Sequence, residues 1–124
     1  MQTIRGEGNQ GPYSQSVLFG DLVFTAGQIP VIPTTGEIVA GGIEEQAAQA
    51  FTNLQAVLNA AGTDFDRVLK VTVFLTDMDD FAGLNRVYQS FFTEHLPARS
   101  CVAVAALPRG VKVEVEAIAA KSAN

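Results

Sequence analysis

One arginine and one cysteine stand close together in a stretch of small and apolar residues near the C-terminus. Arg99 precedes Cys101 by two residues, in the order Arg-Ser-Cys-Val-Ala-Val, and the alternation of a strand places both side chains on one face. A guanidinium beside buried residues needs a partner, which is either a carboxylate of this chain or the carboxylate of a bound ligand. Cys101 has apolar surroundings and no base near it in the sequence, so we expect it to contribute shape and not a nucleophile.

A glutamate in the last predicted strand is the second candidate. The alternation of Val111 through Ala120 puts Lys112, Glu114 and Glu116 on the face opposite to the valines. Glu116 has apolar neighbours on both sides, and partial burial there raises the pKa of a carboxyl group and suits it to proton transfer. The alternative is a solvated strand face with an ordinary Lys112–Glu114 ion pair.

Three further motifs are weaker. The run from Gly6 to Gly11 matches G-x-G-x-x-G, but Pro12 and a strand-like pattern follow it, which does not fit a dinucleotide site. His95 is the only histidine, which excludes a metal site built from several histidines; its position near the end of a predicted helix favours a solvated residue that complements the helix dipole. The acidic run 77–80 lacks the glycine of a calcium loop and is better explained as a helix cap.

Composition limits the possible classes of function. The 124 residues include eight Lys and Arg against thirteen Asp and Glu, for a formal net charge of −5, and we expect them to form a single domain over residues 1–124. The negative charge argues against affinity for the phosphates of nucleic acids or for anionic lipids. A membrane span needs about 20 consecutive apolar residues, and no stretch of the sequence is close to that length. The first residues lack the apolar core of a secretory signal and one cysteine cannot form an internal disulfide, so we expect a soluble cytoplasmic protein.

Hydropathy patterns and turn residues predict the elements that must position these side chains. A short strand at Ile4 precedes a hairpin that turns at Gly20-Asp21, and helical periodicity runs from Ile43 until Gly62 provides a left-handed stop. Asp79 or Asp80 is expected to cap the second helix. The predicted segments are strands at 17–19, 22–26, 68–75, 99–105 and 111–120, helices at 43–61 and 81–91, and a long loop at 30–42. In the strand 68–75, the residues expected on one face are Leu69, Val71, Val73 and Leu75.

The element order β-β-β-α-β-α-β-β predicts an α+β fold with a six-stranded, mostly antiparallel sheet and two helices on one face. The strand 99–105 has apolar residues on both sides and is expected to be buried on both. Because two helices cover only one face of the sheet, the other face needs a cover. We therefore expect a homo-oligomer in which another subunit provides it.

Four segments carry a resemblance to a known family. They are Gly11–Gln15 (GPYSQ), Phe24–Pro30 (FTAGQIP), Pro97–Val102 (PARSCV) and Val113–Ala119 (VEVEAIA). With their spacing, these segments resemble the reactive intermediate deaminase (RidA or YjgF) family over residues 4–121.

The resemblance implies a chorismate-mutase-like fold assembled as a homotrimer, with a cleft at each subunit interface. It implies hydrolysis of reactive 2-imino and 2-enamino acids, such as 2-aminoacrylate or 2-aminocrotonate, to 2-keto acids and ammonia, with no metal or cofactor. By resemblance, Arg99 grips the substrate carboxylate and Glu116 positions or activates water. The other residues that match positions lining the cleft are Tyr13, Gly27, Asn85 and Cys101.

Two other classes of function stay open. A non-catalytic trimer that binds small carboxylates, or acts as a chaperone, would keep Arg99 without needing Glu116. Some relatives are described as endoribonucleases or translation inhibitors, and the charge of −5 counts against RNA as a partner. The expected partners are therefore a small imino or enamino acid and further copies of this chain, and neither a membrane nor a nucleic acid.

Overall fold

Six strands form one sheet and two helices pack against it. The computed structural model describes residues 1–123. The strands are β1 Gln2–Ile4, β2 Ser16–Phe19, β3 Leu22–Thr25, β4 Val68–Leu75, β5 Ala98–Ala103 and β6 Val113–Ala120, and the helices are α1 Ile43–Ala60 and α2 Phe81–Phe91. The strand order is β1-β2-β3-β6-β4-β5, in which β4 and β5 are parallel and every other neighbouring pair is antiparallel. The predicted α+β fold with a six-stranded, mostly antiparallel sheet is confirmed, and the sheet is mixed.

Helix α1 begins and ends where its sequence predicts. The Glu45 carboxylate accepts a hydrogen bond from the Gly42 amide at 2.8 Å, which satisfies a donor that the first turn leaves free. The helix stops before Gly62, whose φ of +84° is the left-handed conformation that glycine adopts at no steric cost. Phe51 and Leu54, in the middle of its apolar stripe, are fully buried in the core.

A bulge in β4 changes the face predicted for Leu69. The register against β6 shifts between Val68 and Lys70. An extra residue in a strand reverses the alternation of its side chains, so Val68 is fully buried while Leu69 is 47% exposed. The prediction that Leu69 shares the buried face with Val71 is wrong.

The strand that carries Arg99 lies at an edge of the sheet, and within a single copy of the chain it is not buried on both faces. Among residues 1–123, strand β5 pairs only with β4, and it spans 98–103 instead of 99–105 and leaves Val102 42% exposed. Strand β6 also begins later than predicted, because the Val111 amide closes a 3₁₀ turn onto the Pro108 carbonyl at 3.3 Å and stays outside the ladder.

The connection from β4 to β5 passes through α2, which is the crossover that joins two parallel neighbours. Asp80 holds the N-cap position of α2, but its side chain makes no capping hydrogen bond. Instead, the Asp77 carboxylate accepts from the Asp79 amide at 2.9 Å and caps the 3₁₀ turn that leads into the helix. The predicted N-cap position at Asp80 is therefore confirmed, while the side-chain capping hydrogen bond comes from Asp77, at the start of the preceding 3₁₀ turn.

The two faces of the sheet differ in what covers them. Both helices join the buried cluster on the face that carries Val23, Val71 and Val115, which we call the helix face. The opposite face, called the open face, carries apolar residues without a layer over them; they are Phe24, Phe74, Val102 and Ile118. Within residues 1–123, neither helix has both the length and the apolar character that crossing a bilayer requires.

Candidate active site

Arg99 reaches the helix face at the exposed edge of the sheet. Its register partner on β4 is the fully buried Val71, so its side chain turns towards α2. There the guanidinium Nη1 donates a hydrogen bond to Asn85 Oδ1 at 2.6 Å. The guanidinium carbon lies 4.7 Å from the ring centroid of Tyr88 and 5.4 Å from that of Phe81. Arg99 and Asn85, both predicted site residues, are thus in direct contact.

No carboxylate neutralises this guanidinium within the described chain. The one salt bridge among residues 1–123 joins Arg86 to Glu44 on the surface. The internal ion pair considered as an explanation of Arg99 is therefore absent from that part of the chain. A half-buried guanidinium held by a neutral amide keeps its positive charge available to an anionic ligand.

Cys101 lies on the same face as Arg99, as predicted, opposite Val73 of β4. It is half-buried, and burial raises the pKa of its thiol, an effect that the positive charge of Arg99 partly offsets. A raised pKa keeps the sulfur protonated at neutral pH, and the thiol is a much weaker nucleophile than the thiolate. This agrees with a role for Cys101 in shape alone.

Glu116 lies on the opposite face of the sheet from Arg99. It pairs with Thr72 of β4, which in turn pairs with Ser100 of β5, and these three side chains share the open face. Arg99 and Glu116 are also separated laterally by two strand spacings, roughly 10 Å. One copy of the chain does not bring these two predicted residues together.

Glu114 is the glutamate whose environment changes its proton affinity. Burial raises the pKa of its carboxyl group, and the negative charge of Glu116, two residues along the same face, raises it further. Its carboxylate packs against Gly27, where any Cβ would collide with Oε2. The sequence left open an ordinary Lys112–Glu114 ion pair on a solvated strand face, and no such ion pair forms within the described residues.

A turn after β3 brings Gly27 to this glutamate. Thr25 Oγ1 accepts from the Ala117 amide at 3.0 Å, and Gln28 rejoins β6 by exchanging backbone hydrogen bonds of 2.7 and 3.0 Å with Val115. Between the Phe24–Ile118 and Gln28–Val115 pairings, residues 25–27 oppose residues 116–117, so the chain contains a bulge within 25–27. We call Gly27, Glu114 and Glu116 the glutamate side of the site, and Arg99, Asn85 and Cys101 the arginine side.

Tyr13 and Gly27 line one open groove of about 980 Å³ beside the N-terminal loop. The carbonyl oxygen of Tyr13 accepts hydrogen bonds from Arg5 Nη1 at 2.9 Å and Asn9 Nδ2 at 2.7 Å, while its side chain is 50% exposed. The side-chain amide Nε2 of Gln28 donates a hydrogen bond to Gln15 Oε1 at 2.8 Å and ties this loop to the turn at Gly27. Tyr13 therefore belongs to the neighbourhood of the glutamate side.

The remaining chemical candidates are accounted for locally. Helix α2 ends at Phe91, so His95 lies beyond its last turn, and Nε2 of His95 is 2.6 Å from the Val68 carbonyl oxygen. The glycine-rich run 6–11 lies in the loop between β1 and β2, and no helix opens at its end. Nowhere in residues 1–123 do three or more His, Cys, Asp or Glu side chains gather as potential metal ligands.

Comparison with known proteins places this geometry in a family. Residues 7–121 match the sequence model described as Endoribonuclease L-PSP. The chain is 46% identical over 119 residues to the mouse protein named 2-iminobutanoate/2-iminopropanoate deaminase, covering 96% of this chain and 88% of that one. The chain belongs to the RidA (YjgF) family. The RutC family protein y4sK of Sinorhizobium fredii is 53% identical over 118 residues, covering 95% and 94% of the two chains.

A solved structure of the RidA family shares the fold. The crystal structure titled E. coli TdcF with bound serine superposes with a TM-score of 0.87 at 51% identity, covering 98% of this chain and 97% of that one. A relative at this identity and coverage supports the same arrangement of elements throughout the described chain.

The residues that the sequence did not single out are the aromatic neighbours of Arg99 and the half-buried Glu114. Phe81, Asn85 and Tyr88 follow at intervals of four and three residues, so they form one stripe of α2. That spacing is visible in the sequence, but only the parallel pairing of β4 and β5 shows that the stripe faces Arg99.

Proposed function

We propose that this chain hydrolyses reactive 2-imino and 2-enamino acids, such as 2-aminoacrylate or 2-aminocrotonate, to 2-keto acids and ammonia. The observation that carries the proposal is the guanidinium of Arg99, half-buried, fixed by Asn85 at 2.6 Å and paired with no carboxylate within residues 1–123. A planar fork of donors in this state matches the carboxylate that every such substrate carries.

The chemistry requires little beyond this grip and one proton-transfer group. Carbon 2 of an imino acid is already electrophilic, so water can add to it once the substrate is held in place. In our proposal, Glu116 takes a proton from the attacking water and returns it to the nitrogen. The same carboxylate then carries the proton of the carbinolamine hydroxyl group to its amino group. The carbon–nitrogen bond breaks as the carbonyl forms, and ammonia and the keto acid leave.

The separation of the two residues supports a site shared between subunits, and we propose the homotrimer with interfacial clefts that the resemblance to the RidA family implies. Arg99 and Glu116 lie on opposite faces of one sheet, so a single ligand cannot touch both within one subunit. If the open face of one subunit packs beside the edge strand of the next, the arginine side of one copy faces the glutamate side of another. The apolar residues of the open face, among them Phe24 and Val102, would be buried in the same assembly.

The named relatives support the reaction class and the ligand class. The mouse relative is named as a deaminase of 2-iminobutanoate and 2-iminopropanoate, and TdcF was crystallised with serine, a small molecule with a carboxylate. The name Endoribonuclease L-PSP favours RNA cleavage as the second candidate. The net charge of −5 opposes RNA binding, because the affinity of proteins for RNA depends on basic side chains that contact phosphates.

The test is release of keto acid and ammonia from an imino acid that is generated in situ. We expect the parent to accelerate this step, Arg99→Ala to abolish the acceleration, and Arg99→Lys to restore little of it, since a point charge does not reproduce the fork. The matched control is Cys101→Ser, on the same face of β5, which should keep at least about a tenth of the activity, a loss below ~1.4 kcal/mol. A folded Arg99→Ala variant with parental activity would contradict the proposal, and cleavage of a single-stranded RNA without imine hydrolysis would favour the second candidate.

A further inference from the structure

The aromatic residues around Arg99 form a support for its charge. We propose that Phe81 and Tyr88 are positioning residues, whose ring faces hold the Arg99 guanidinium in place while leaving its in-plane donors to the substrate carboxylate. This inference rests on the proposed role of Arg99 and adds two residues that do not themselves bind the substrate.

The evidence is the placement of three side chains on one stripe of α2. The guanidinium carbon of Arg99 is 4.7 Å from the ring centroid of Tyr88 and 5.4 Å from that of Phe81, both within the range at which a cation is attracted to a ring face. Asn85 lies between them on the stripe and takes one hydrogen bond, from Nη1. The arginine is thus held from one helix by a hydrogen-bond acceptor and two rings.

The chemical nature of this support suits a site that must bind an anion. A carboxylate from the protein would fix the guanidinium equally well, but it would occupy the donors that a substrate carboxylate needs. A ring attracts the cation through the quadrupole of its face and accepts no hydrogen bond in the guanidinium plane. Of the five N–H donors of Arg99, one is used within residues 1–123, so the others stay available there.

Tyr88 acts in this support through its ring and not through its hydroxyl group. The ring stacks on Phe92 at a centroid distance of 4.6 Å and meets Phe51 edge-on at 5.6 Å, so its orientation is fixed by the core. The hydroxyl oxygen is buried and has no hydrogen-bond partner among the described residues. Burial raises the pKa of the phenol, and the charge of Arg99 partly offsets that rise, which agrees with a cation close to the ring.

The variants Tyr88→Phe and Tyr88→Leu separate the ring from the hydroxyl. Tyr88→Phe keeps the ring, so it should keep the KM and the melting temperature of the parent or melt higher. Tyr88→Leu keeps an apolar side chain without a ring face, and we expect KM for the imino acid to rise about 3- to 30-fold. The value of kcat should change less, because the carboxylate is held alike in the ground and transition states.

A spectroscopic readout follows Arg99 itself and does not depend on activity. The Nε–Hε resonance of Arg99, assigned by its loss in Arg99→Lys, should carry a ring-current shift that persists in Tyr88→Phe and decreases in Tyr88→Leu. The ring-current shift should also decrease in Phe81→Leu, and this variant should stay folded because Phe81 is only half-buried. The control is Phe65→Leu, which removes a ring of the same core that packs on Phe91 and Phe92 and should lower the melting temperature without moving this resonance.

The NMR and kinetic results on these variants can contradict the role of the two rings independently of whether the parent hydrolyses imines. An Arg99 resonance that stays unchanged in both Tyr88→Leu and Phe81→Leu would overturn the inference, even if the parent hydrolyses imines. Equal defects in Tyr88→Phe and Tyr88→Leu would overturn it too, because they would assign the role to the hydroxyl. If the parent fails to hydrolyse imines, calorimetry with 2-oxobutanoate, a 2-keto acid that carries the same carboxylate, replaces the measurement of KM. We then expect the affinity for 2-oxobutanoate to weaken by the same 3- to 30-fold in Tyr88→Leu.

Discussion

At the scale of single residues, the two glutamates of β6 have different tasks although they are two positions apart. Glu116 is proposed to move the proton, so Glu116→Gln should bind 2-oxobutanoate nearly as well as the parent and turn over imine about 10²–10⁴-fold more slowly. The amide keeps the shape of the side chain and loses only its capacity to take up a proton. Calorimetric binding and the imine assay on the same preparation check both halves. An unchanged kcat would assign proton transfer to another group.

Glu114 carries a prediction about stability and pH. Because the folded state raises its pKa above the ordinary value of 4.5, folding favours the protonated carboxyl group. Its contribution to the free energy of unfolding is therefore complete below about pH 4.5 and is lost as the pH rises through the raised folded value.

The variant Glu114→Gln has no charge to lose, so its melting temperature should match that of the parent near pH 4 and exceed it at pH 7 to 8. Thermal melting across this range is the measurement. Glu37→Gln, in an exposed loop, controls for the removal of one negative charge. A variant that is less stable than the parent at pH 7 would contradict the account of this carboxyl group.

At the scale of elements, the turn between β3 and the Gln28–Val115 bridge determines where Glu114 can lie. A Cβ at Gly27 would collide with the Glu114 carboxylate, so Gly27→Ala should destabilise the fold by about 1 kcal/mol, the low end for overpacking because a side-chain tip can move. The loss should largely disappear when Glu114→Ala is added, since the colliding group is then gone. Urea unfolding of the two single variants and the double variant measures this coupling. Additive losses would show that the contact is not formed.

The elements also show how far the sequence predicts this molecule. Helix α1 could be located from periodicity and from Gly62, because both signals are local. The bulge at Leu69 could not be located from the sequence, because the hydropathy pattern of the strand does not change there. Only the register of β4 against β6 shows the extra residue. The contact of Asn85 with Arg99 depends likewise on the parallel crossover through α2, which brings together residues 14 positions apart.

For the candidate site residues, strand alternation predicted which face each one lies on, but not how they are arranged relative to one another. Arg99 and Cys101 share a face as strand alternation requires, and Glu116 lies on the face opposite to the valines of β6. Their positions relative to one another depend on strand order and on the assembly, neither of which local sequence encodes. Glu114 was not predicted as a site residue because its partial burial comes from the turn at Gly27, a contact between distant parts of the chain.

At the scale of the whole molecule, we propose a trimer in which each cleft combines Arg99 of one subunit with Glu116 of a neighbouring subunit. Sedimentation should give a particle of about 39 kDa, three times the chain mass of 13.1 kDa. The exposed apolar residues of the open face, such as Phe24, supply the surface that this assembly would bury. A particle of 13 kDa at micromolar concentration would contradict it.

Mixed trimers of Arg99→Ala and Glu116→Gln test the central claim most directly. Each variant alone should be nearly inactive, since every cleft lacks one of its two groups. When equal amounts are unfolded and refolded together, random assembly of a cyclic trimer gives each cleft both native residues about a quarter of the time, if they come from different subunits. We predict recovery of about a quarter of the parental imine hydrolysis on that basis. Activity that remains at the level of the separate variants, in refolded trimers that contain both chains, would contradict the shared cleft.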